Sequence, residues 1–427
     1  MDRAHHQDAP KRILVVALGS RGDVQPMCVL GAALAARGHD VTLLTTPDFG
    51  RLGEAFGLHV VQGGPRMREM RAMAGFPKPK GSVGVQLVSW LRWLRHSVSP
   101  YVENLLALCH EEMGRAEIVV YGPIAFFAGR LAGEAGLPSV RVLLQPLSAD
   151  WRIPLSVTGA SGLGPLLNRL TYESPRILTV ALAPAFKRFR AETGAGRTLR
   201  SGSNPLRPER PDGSDVFAWS PLLWSPPGGA GPVPTGFLFA DEPSGSELTP
   251  ELDRFLDGGA PAIYVTLGSV GSLAQRSVET VLRAVTLWGG RALVSSGLKS
   301  GGTTSGDVFF VDDVDHARLF PKLAGIVHHG GVGTTAASLR FGLPSVVCPL
   351  FGDQFFWGRR LAELGAAEQP TTLRRASAEQ LAGRLDRVGR LQAAARSAAD
   401  AIAAEAGLAR AIEAVEAAGT ARGALAP

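Results

Sequence analysis

The sequence predicts an α/β protein with two Rossmann-like domains that face each other across a cleft. Short apolar runs, typical of parallel strands buried on both faces, alternate with segments of helical spacing. This alternation occurs twice, once on each side of a Pro- and Gly-rich stretch at residues 228–250. The chain of 427 residues is long enough for two domains that each have their own core.

The Pro- and Gly-rich stretch sets the predicted domain boundaries. Residues 1–227 are expected to form the N-terminal domain, and residues 228–250 the interdomain linker. Residues 251–405 are expected to form the C-terminal domain, followed by a last helix and a tail at residues 406–427. In each domain, ligand sites are expected at the carboxyl ends of the parallel strands, where the loops gather.

The first half opens with a βαβ pattern. Strands are predicted at residues 13–18, 41–44, 58–61, 117–121, 139–144, 215–220 and 235–239. Helices are predicted at residues 24–37 and 125–135. Residues 66–98, rich in Met and Trp, are either an ordinary packed helix with a flexible lead-in or a mobile wall of an apolar pocket. Residues 145–165 are rich in Pro and Gly and follow a strand, which makes them a second candidate pocket loop.

The second half repeats the alternation. Strands are predicted at residues 262–267, 292–295, 308–311, 325–327 and 345–348. The last helices are predicted from about residue 377 to residue 418. Ser377 and Gln380 have the spacing of a capping box, which indicates a helix start at that point.

A glycine-rich loop follows the strand at residues 325–327. Gly330, Gly331 and Gly333 allow a tight turn and a close approach of a ligand to the backbone, and a helix is predicted to begin at Thr334. The first N–H groups of that helix lack internal partners, and its dipole favours an anion, above all a phosphate. The alternative is a tight turn in which the glycines serve only packing.

Charge and composition exclude several classes of function. The net charge is +6, but Arg residues are scattered rather than clustered with aromatic residues, so no nucleic-acid partner is expected. No apolar run is long enough for a membrane span, so no stable membrane insertion is expected. The three cysteines lack metal-binding spacing, and no signal peptide is evident, which is typical of a reduced cytoplasmic protein.

The glycine loop and the residues after it carry a resemblance to a known family. The order His-Gly-Gly-x-Gly-Thr-Thr, then Gly-x-Pro, then Pro-x-x-x-Asp-Gln resembles the nucleotide-sugar signature of family 1 glycosyltransferases, in particular the bacterial antibiotic and sterol branch. The resemblance is strongest at residues 312–364 and 13–45. It implies the GT-B fold, an acceptor-binding N-terminal domain, a nucleotide-sugar-binding C-terminal domain, and a last helix that packs back on the N-terminal domain.

The resemblance assigns roles to residues of this chain. The implied base is Asp23, in the Arg-Gly-Asp form typical of the antibiotic branch; from the residues alone, Asp23 is equally suited to cap a helix beginning at Val24. Diphosphate binding is implied for Ser269, His329, Gly331, Val332, Gly333 and Thr334. Donor-sugar binding is implied for Asp353 and Gln354, which as polar loop residues could instead cap the loop. Nucleoside binding is implied for Ser296, Gly297, Val311 and Val314, and acceptor binding for Arg21, Gly22, Met73, Phe76, Trp90 and Gln145.

Neither a metal nor another cofactor is expected. Asp313 and Asp315 form an Asp-x-Asp pattern without a supporting cluster, and they also fit a family turn that holds no metal. Stabilisation of the leaving group then falls to backbone N–H groups, the helix dipole and His329. The chain departs from plant-like relatives at Tyr121-Gly122-Pro123, where those relatives carry an Asp that assists a catalytic His.

The function implied is an inverting transfer of a hexose or deoxyhexose from a UDP- or dTDP-sugar to a hydroxyl of a hydrophobic small molecule, by a monomer or homodimer. One alternative is an NAD-dependent oxidoreductase, because Gly331-x-Gly333-x-x-Ala336 fits the dinucleotide fingerprint and Asp353 follows at a suitable distance. A non-catalytic GT-B auxiliary protein and a GT-B epimerase are further alternatives.

Overall fold

The computed structural model describes residues 9–73, 83–148, 150, 152–207, 214–226, 233–239, 247–266, 274–295, 303–311 and 314–420. The chain divides into two compact units. The first unit comprises Met1–Arg152, Gly164–Ala218 and Gly407–Pro427, and the second comprises Ile153–Leu163 and Trp219–Ala406. No helix among the described residues is long and apolar enough to cross a membrane.

The first unit contains a parallel sheet of six strands in the order β3-β2-β1-β4-β5-β6. These strands are β1 (Arg12–Val16), β2 (Asp40–Thr45), β3 (His59–Gln62), β4 (Ile118–Tyr121), β5 (Ser139–Leu143) and β6 (Ser214–Phe217). The chain moves outward from β1 first on one side and then on the other. The end of β1 is therefore a topological switch point, where ligands bind in folds of this type.

The second unit contains a sheet of six strands in the order β12-β11-β7-β8-β10-β9. These strands are β7 (Ile263–Thr266), β8 (Ala292–Ser295), β9 (Thr303–Ser305), β10 (Val308–Phe310), β11 (Gly325–His328) and β12 (Ser345–Val347). All pairs are parallel except β9 with β10. The switch point lies at β7, between β11 and β8, and β11 leads directly into the glycine-rich loop.

Helices connect the strands and cover the sheets. In chain order they are α1 (Arg21–Ala36), α2 (Gly50–Ala55), α3 (Met67–Ala72), α4 (Val83–Trp93), α5 (Ser99–Met113), α6 (Phe126–Glu134), α7 (Pro165–Thr171), α8 (Arg176–Ala181), α9 (Ala183–Thr193), α10 (Pro250–Asp257), α11 (Ala274–Trp288), α12 (His316–Leu319), α13 (Val332–Arg340), α14 (Gln354–Glu363), α15 (Ala378–Arg387), α16 (Gln392–Ala403) and α17 (Gly407–Thr420). A π-helical turn at Leu94–Val98 joins α4 to α5, and a 3-10 turn lies at Ser156–Thr158.

The strands of the second sheet are apolar on both faces because helices cover both faces. Val265 and Val327 pack in one core cluster with Leu381 of α15. Their strand neighbours Tyr264 and Ile326 point the other way, into a second cluster that contains Phe320. This two-sided burial is the physical reason for the continuous apolar runs in the sequence.

The structure confirms the predicted α/β class with two parallel-sheet units, and it corrects several element boundaries. The first helix begins at Arg21 and not at Val24, because Ser20 occupies the N-cap position. The helix after the glycine loop begins at Val332 and not at Thr334, with Gly331 at the N-cap. Residues 235–239, predicted as a strand, form none, and β9 is a strand that the sequence pattern missed.

The division into units differs from the predicted first domain of residues 1–227 in two places. The segment Ile153–Leu163 belongs to the second unit, and so does Trp219–Ala406. At the end of the chain, α17 packs on α1 and on β4, β5 and β6 of the first unit. Glu416 of α17 accepts hydrogen bonds from Arg37, the residue that follows α1.

The Met- and Trp-rich segment is partly a packed core. Trp93 and Leu94 are buried in a cluster against which Met70 packs. Trp90, one turn earlier, remains 36% exposed. Capping at residue 377 is as predicted, because Ser377 and Gln380 exchange both hydrogen bonds of a capping box.

Candidate active site

The loops after β11 and β12 meet at the carboxyl edge of the second sheet. Gly330 has a φ of +86°, which favours glycine. A Cβ at this position would lie 2.8 Å from the backbone oxygen of Gln354 and 2.8 Å from Cγ1 of Val347. The glycine therefore serves both the turn and the close packing of the two loops.

The start of α13 offers backbone N–H groups to a ligand. Gly331 is the N-cap and has no side chain to cap the helix. The Thr335 N–H donates to the Gly331 oxygen at 2.9 Å, which closes the first turn. The N–H groups of Val332, Gly333 and Thr334 precede that bond and have no partner within the helix. Together with the helix dipole they form a site suited to a phosphate.

His329 lies directly against this helix start. A Cβ at Gly331 would lie 2.5 Å from Nε2 of His329, so only glycine leaves room for the ring. Burial lowers the pKa of His329 to about 4, although a hydrogen bond with the Thr266 backbone acts in the opposite direction. Nδ1 of His329 is buried and has no hydrogen-bond partner among the described residues. Near pH 7 the neutral ring carries a single N–H, which can donate to a ligand only in exchange for the bond with the Thr266 backbone.

His328 holds the backbone of the glycine-rich loop, a role that the sequence pattern did not assign. Its side chain is fully buried, and Nδ1 accepts a hydrogen bond of 3.1 Å from the Gly330 N–H. The ring proton is therefore on Nε2, which has no partner within the described part of the chain. Burial, with a smaller effect of His329, lowers the pKa of His328 to about 3. The adjacent His-His pair in the sequence was the available signal.

Asp353 and Gln354 have structural contacts of their own. Asp353 is the N-cap residue of α14, and its Oδ2 accepts from the Trp357 indole N–H at 3.1 Å. Oε1 of Gln354 accepts from the N–H groups of Leu350 and Phe351 at 2.8 and 3.2 Å. Gln354 thus caps its own loop, whereas Asp353 binds a side chain of α14. The Gln354 amide nitrogen makes no hydrogen bond to any described residue, and so is the group that could bind a sugar hydroxyl.

The remaining donor-site predictions have mixed outcomes. Val311 is buried in the cluster around Phe320, and the half-buried Val314 packs against the same cluster. Ser269, Ser296, Gly297 and Asp313 lie outside the described residues. Asp315 caps α12 by accepting from the Ala317 N–H at 2.8 Å. No group of three His, Cys, Asp or Glu side chains suited to a metal occurs in the part of the chain that is described.

Asp23 occupies the switch point of the first sheet. Its Oδ2 accepts from the backbone N–H of Ser20 at 2.7 Å and from the Ser20 hydroxyl at 2.8 Å. Asp23 is thus the third residue of α1 and bonds back to the N-cap residue, Ser20. The prediction that Asp23 itself could be the N-cap was therefore wrong.

The environment of the Asp23 carboxylate disfavours its charge. Burial raises the pKa of Asp23, and the two hydrogen bonds from Ser20 lower it by less. Gly19 has a φ of +127°, and a Cβ there would lie 2.5 Å from Oδ2 of Asp23. A glycine is therefore needed for the carboxylate to sit over the end of β1. A carboxyl group with a raised pKa is a better general base near neutral pH than an ordinary Asp.

The predicted acceptor residues in the first unit are exposed to different degrees. Arg21 is exposed and its Nε donates to Gln25 at 2.9 Å. Gly22 and Met73 are half-buried, and Trp90 is exposed. Oε1 of Gln145 is buried without a hydrogen-bond partner among the described residues, as expected of a group that awaits a ligand. Phe76 lies outside the described residues.

Two α/β units with mainly parallel sheets, a glycine-rich helix start and a half-buried neutral histidine at a strand end are the features expected of the class of GT-B glycosyltransferases. Residues 298–415 match the family described as "Erythromycin biosynthesis protein CIII-like, C-terminal domain". The chain is 33% identical over 393 residues to the O-mycaminosyltylonolide 6-deoxyallosyltransferase of Streptomyces fradiae. The match covers 87% of this chain and 88% of that protein. The chain belongs to the family 1 glycosyltransferases, in the antibiotic and sterol branch.

Further relatives support this placement. The chain is 29% identical over 380 residues to a sterol 3-beta-glucosyltransferase of Yarrowia lipolytica; the match covers 82% of this chain but 25% of that longer protein. The solved calicheamicin glycosyltransferase CalG4 matches with a TM-score of 0.68 and 18% identity, over 98% of this chain and 100% of that chain. The glycosyltransferase VinC, solved in complex with dTDP, matches with a TM-score of 0.64 and 20% identity, over 96% and 100% of the two chains. At these identities the solved structures bear on the fold alone.

Proposed function

We propose that this glycosyltransferase moves a hexose or deoxyhexose from a UDP- or dTDP-sugar to a hydroxyl of a hydrophobic small molecule, with inversion at the anomeric carbon. The acceptor class is an antibiotic aglycone, macrolide, polyketide or sterol-like alcohol. The observation that carries the proposal is the uncapped start of α13 beside the half-buried, neutral His329. A departing nucleoside diphosphate is the anion that this arrangement suits best.

The donor half of the reaction uses groups of the second unit. The N–H groups of Val332, Gly333 and Thr334 donate hydrogen bonds to the diphosphate as it gains charge. The single N–H of neutral His329 exchanges its bond with the Thr266 backbone for one to a diphosphate oxygen. The pKa of about 4 keeps His329 neutral, so it contributes a hydrogen bond rather than a fixed charge. The Gln354 amide nitrogen binds a sugar hydroxyl, while its oxygen holds the loop at Leu350 and Phe351. Neither a metal nor another cofactor has a part in this scheme.

The acceptor half uses Asp23. The acceptor oxygen forms a bond to the anomeric carbon, the bond from that carbon to the diphosphate breaks, and the acceptor proton moves to the Asp23 carboxylate. The raised pKa of Asp23 makes it a stronger base than an exposed Asp. A single displacement assisted by a base inverts the centre, so an α-linked donor gives a β-linked product.

Names of relatives support the substrate classes. The relative from Streptomyces fradiae is named for a deoxysugar and a tylonolide acceptor, and several others are named for sterols. VinC and SsfS6 were solved with thymidine diphosphate. The oxidoreductase alternative is weaker, because Asp353 lies at the start of α14 and binds Trp357 instead of ending a strand as a ribose-binding acid would.

The direct test is a thermal-shift panel of UDP, dTDP and NAD on the purified protein. UDP or dTDP should raise the melting temperature, and NAD should not. Stabilisation by NAD alone would refute the proposal. A donor-by-acceptor screen by mass spectrometry then identifies the substrates, and the anomeric coupling in the product's NMR spectrum reports inversion or retention. Transfer should continue after dialysis against EDTA; a rate that collapses and returns with Mg²⁺ would contradict the metal-free scheme.

A further inference from the structure

The segment Ile153–Leu163 comes from the first half of the sequence but belongs to the second unit. The segment is partly buried and has internal hydrogen bonds. Leu155 and Ser156 are buried, and the Thr158 hydroxyl donates to the Leu155 oxygen at 2.7 Å within the 3-10 turn. Its position therefore depends on the element of the second unit against which it packs.

That element is α14. Nη2 of Arg359 donates to the backbone oxygen of Ala160 at 3.0 Å. Gly159 has a φ of +68°, and a Cβ there would lie 3.2 Å from Cδ2 of Phe355. Phe355 and Arg359 are four residues apart in one helix, so they lie on one face. This face of α14 holds the segment at two successive points.

The start of the same helix holds the predicted sugar-binding loop. A Cβ at Gly159 would also lie 3.4 Å from the Gly352 oxygen, and a Cβ at Gly352 would lie 3.7 Å from the Val157 oxygen. The segment thus touches the chain immediately before Asp353 and Gln354. One helix therefore carries the sugar-binding residues at its first turn and the segment along its next turn.

This junction presents apolar side chains outward. Val157 is 42% exposed and Phe351 is 54% exposed. The two positions are close together, because a Cβ at Gly352 would lie 3.7 Å from the Val157 oxygen. Neighbouring exposed apolar side chains beside a ligand loop suit an apolar ligand. The occupant that fits is the hydrophobic acceptor, because its reacting hydroxyl has to reach the sugar that Gln354 holds.

We propose that α14 sets the position of a large hydrophobic acceptor relative to the donor sugar: its Phe355–Arg359 face fixes the segment Ile153–Leu163, from which Val157, together with Phe351, contacts the acceptor. Arg359 is then a positioning residue and Val157 an acceptor-specificity residue. The charge of Arg359 is half-buried, and burial lowers its pKa, so the bond to Ala160 is made in a partly desolvated place. This proposal rests on the proposed glycosyltransferase function.

The test uses two acceptors of different size, a macrolactone aglycone and 4-nitrophenol, with the dTDP- or UDP-sugar that the screen identifies. Arg359→Ala should lower kcat/KM for the macrolactone by roughly 10- to 100-fold, because a misplaced substrate loses its alignment. Val157→Ser should raise KM for the macrolactone about tenfold. Both variants should leave 4-nitrophenol kinetics and calorimetric nucleotide binding within about twofold of the wild type.

Two further variants complete the design. Arg359→Lys retains a donor for the Ala160 oxygen and should recover most of the macrolactone activity. Arg374→Ala, an exposed arginine in the same unit, should behave as the wild type. Unchanged macrolactone kinetics in Arg359→Ala and Val157→Ser, or equal losses on both acceptors, would overturn the proposal. A wild-type protein that neither binds nucleotide nor transfers sugar would instead refute the proposed function itself.

Discussion

At the scale of single residues, burial shifts the pKa values of Asp23, His328 and His329 in the candidate site toward favouring their neutral forms. The pKa of Asp23 is raised, and those of His328 and His329 are lowered to about 3 and about 4, with burial as the main cause in each case. A buried charge is costly when no opposite charge compensates it. The result is a carboxyl group suited to accept a proton and an imidazole suited to donate a neutral hydrogen bond.

Asp23→Asn tests the proposed base. Asn keeps an oxygen for the Ser20 N–H but cannot take the acceptor proton, so turnover should fall by roughly 10²–10⁴. An acidic acceptor such as 4-nitrophenol should suffer less, because it needs less help to lose its proton. In the wild type the acid limb of the kcat/KM profile should lie above pH 3.8, the ordinary Asp value, because burial raises the Asp23 pKa. Full activity of the variant on an aliphatic alcohol, with an intact melting temperature, would remove Asp23 from the mechanism.

His329→Ala tests the stabilisation of the leaving group. The change removes a donor aimed at the departing diphosphate, and losses of about 10²–10³ in kcat are usual for such a donor. Steady-state kinetics with the intact nucleotide sugar measures it, and circular dichroism checks the fold. Kinetics equal to the wild type in a folded variant would show that His329 does not contact the diphosphate.

At the scale of elements, the start of α13 depends on a chain of close contacts. His328 accepts from Gly330, Gly330 packs on the backbone of Gln354, and Gly331 lies under the His329 ring. The loop is therefore preformed, which lowers the ordering cost of binding a phosphate.

His328 should be separable into an acceptor role and a packing role. His328→Leu leaves the buried Gly330 N–H without an acceptor and should weaken nucleotide binding about tenfold. His328→Asn can present an oxygen near the place of Nδ1 and should keep most of the affinity. Calorimetry with UDP or dTDP measures the difference. Equal affinity in both variants would mean that the bond to Gly330 does not shape the loop.

Gln354 has two separable roles as well. Gln354→Ala loses both the oxygen that holds Leu350 and Phe351 and the amide nitrogen, whereas Gln354→Glu keeps oxygen acceptors and loses the N–H donors. If the nitrogen binds the sugar, both variants should bind the nucleotide sugar about tenfold more weakly while free nucleotide diphosphate binds as before. A Glu variant with wild-type affinity for the sugar donor would assign Gln354 to the loop alone.

At the scale of the whole molecule, the two buried histidines link stability to pH. Their pKa values of about 3 and about 4 lie below the ordinary value of 6.5, so the unfolded chain binds more protons than the folded one between these limits. The contribution of the two histidines to the stability of the folded state is complete above pH 6.5. It is lost as the pH falls through their folded pKa values of about 4 and about 3. The melting temperature of His328→Asn should therefore depend less steeply on pH over this range than that of the wild type. Parallel curves for the two proteins would contradict the shifted pKa of His328.

The sequence by itself determined the α/β class and most of the strands. A parallel strand that is covered on both faces needs apolar residues at consecutive positions. Such a strand is therefore visible in the sequence as a short apolar run, as in β11. The glycine-rich loop was equally visible, because a positive φ at Gly330 and the narrow space at Gly331 demand glycine. Element ends were less certain, since the choice of Ser20 as N-cap rests on one hydrogen-bonded turn and not on a periodic pattern.

Only the tertiary structure decided how the polar atoms of the site are used. The Gln354 side-chain oxygen accepts a hydrogen bond from its own loop, and Asp353 accepts one from Trp357. Nδ1 of His328 accepts one from the Gly330 N–H. The bond from Arg359 to Ala160 joins positions 199 residues apart, which no local pattern encodes. The raised pKa of Asp23 and the lowered pKa of His329 likewise arise mainly from burial. Hydrogen bonding and desolvation depend on which surfaces come together, and the fold alone sets that.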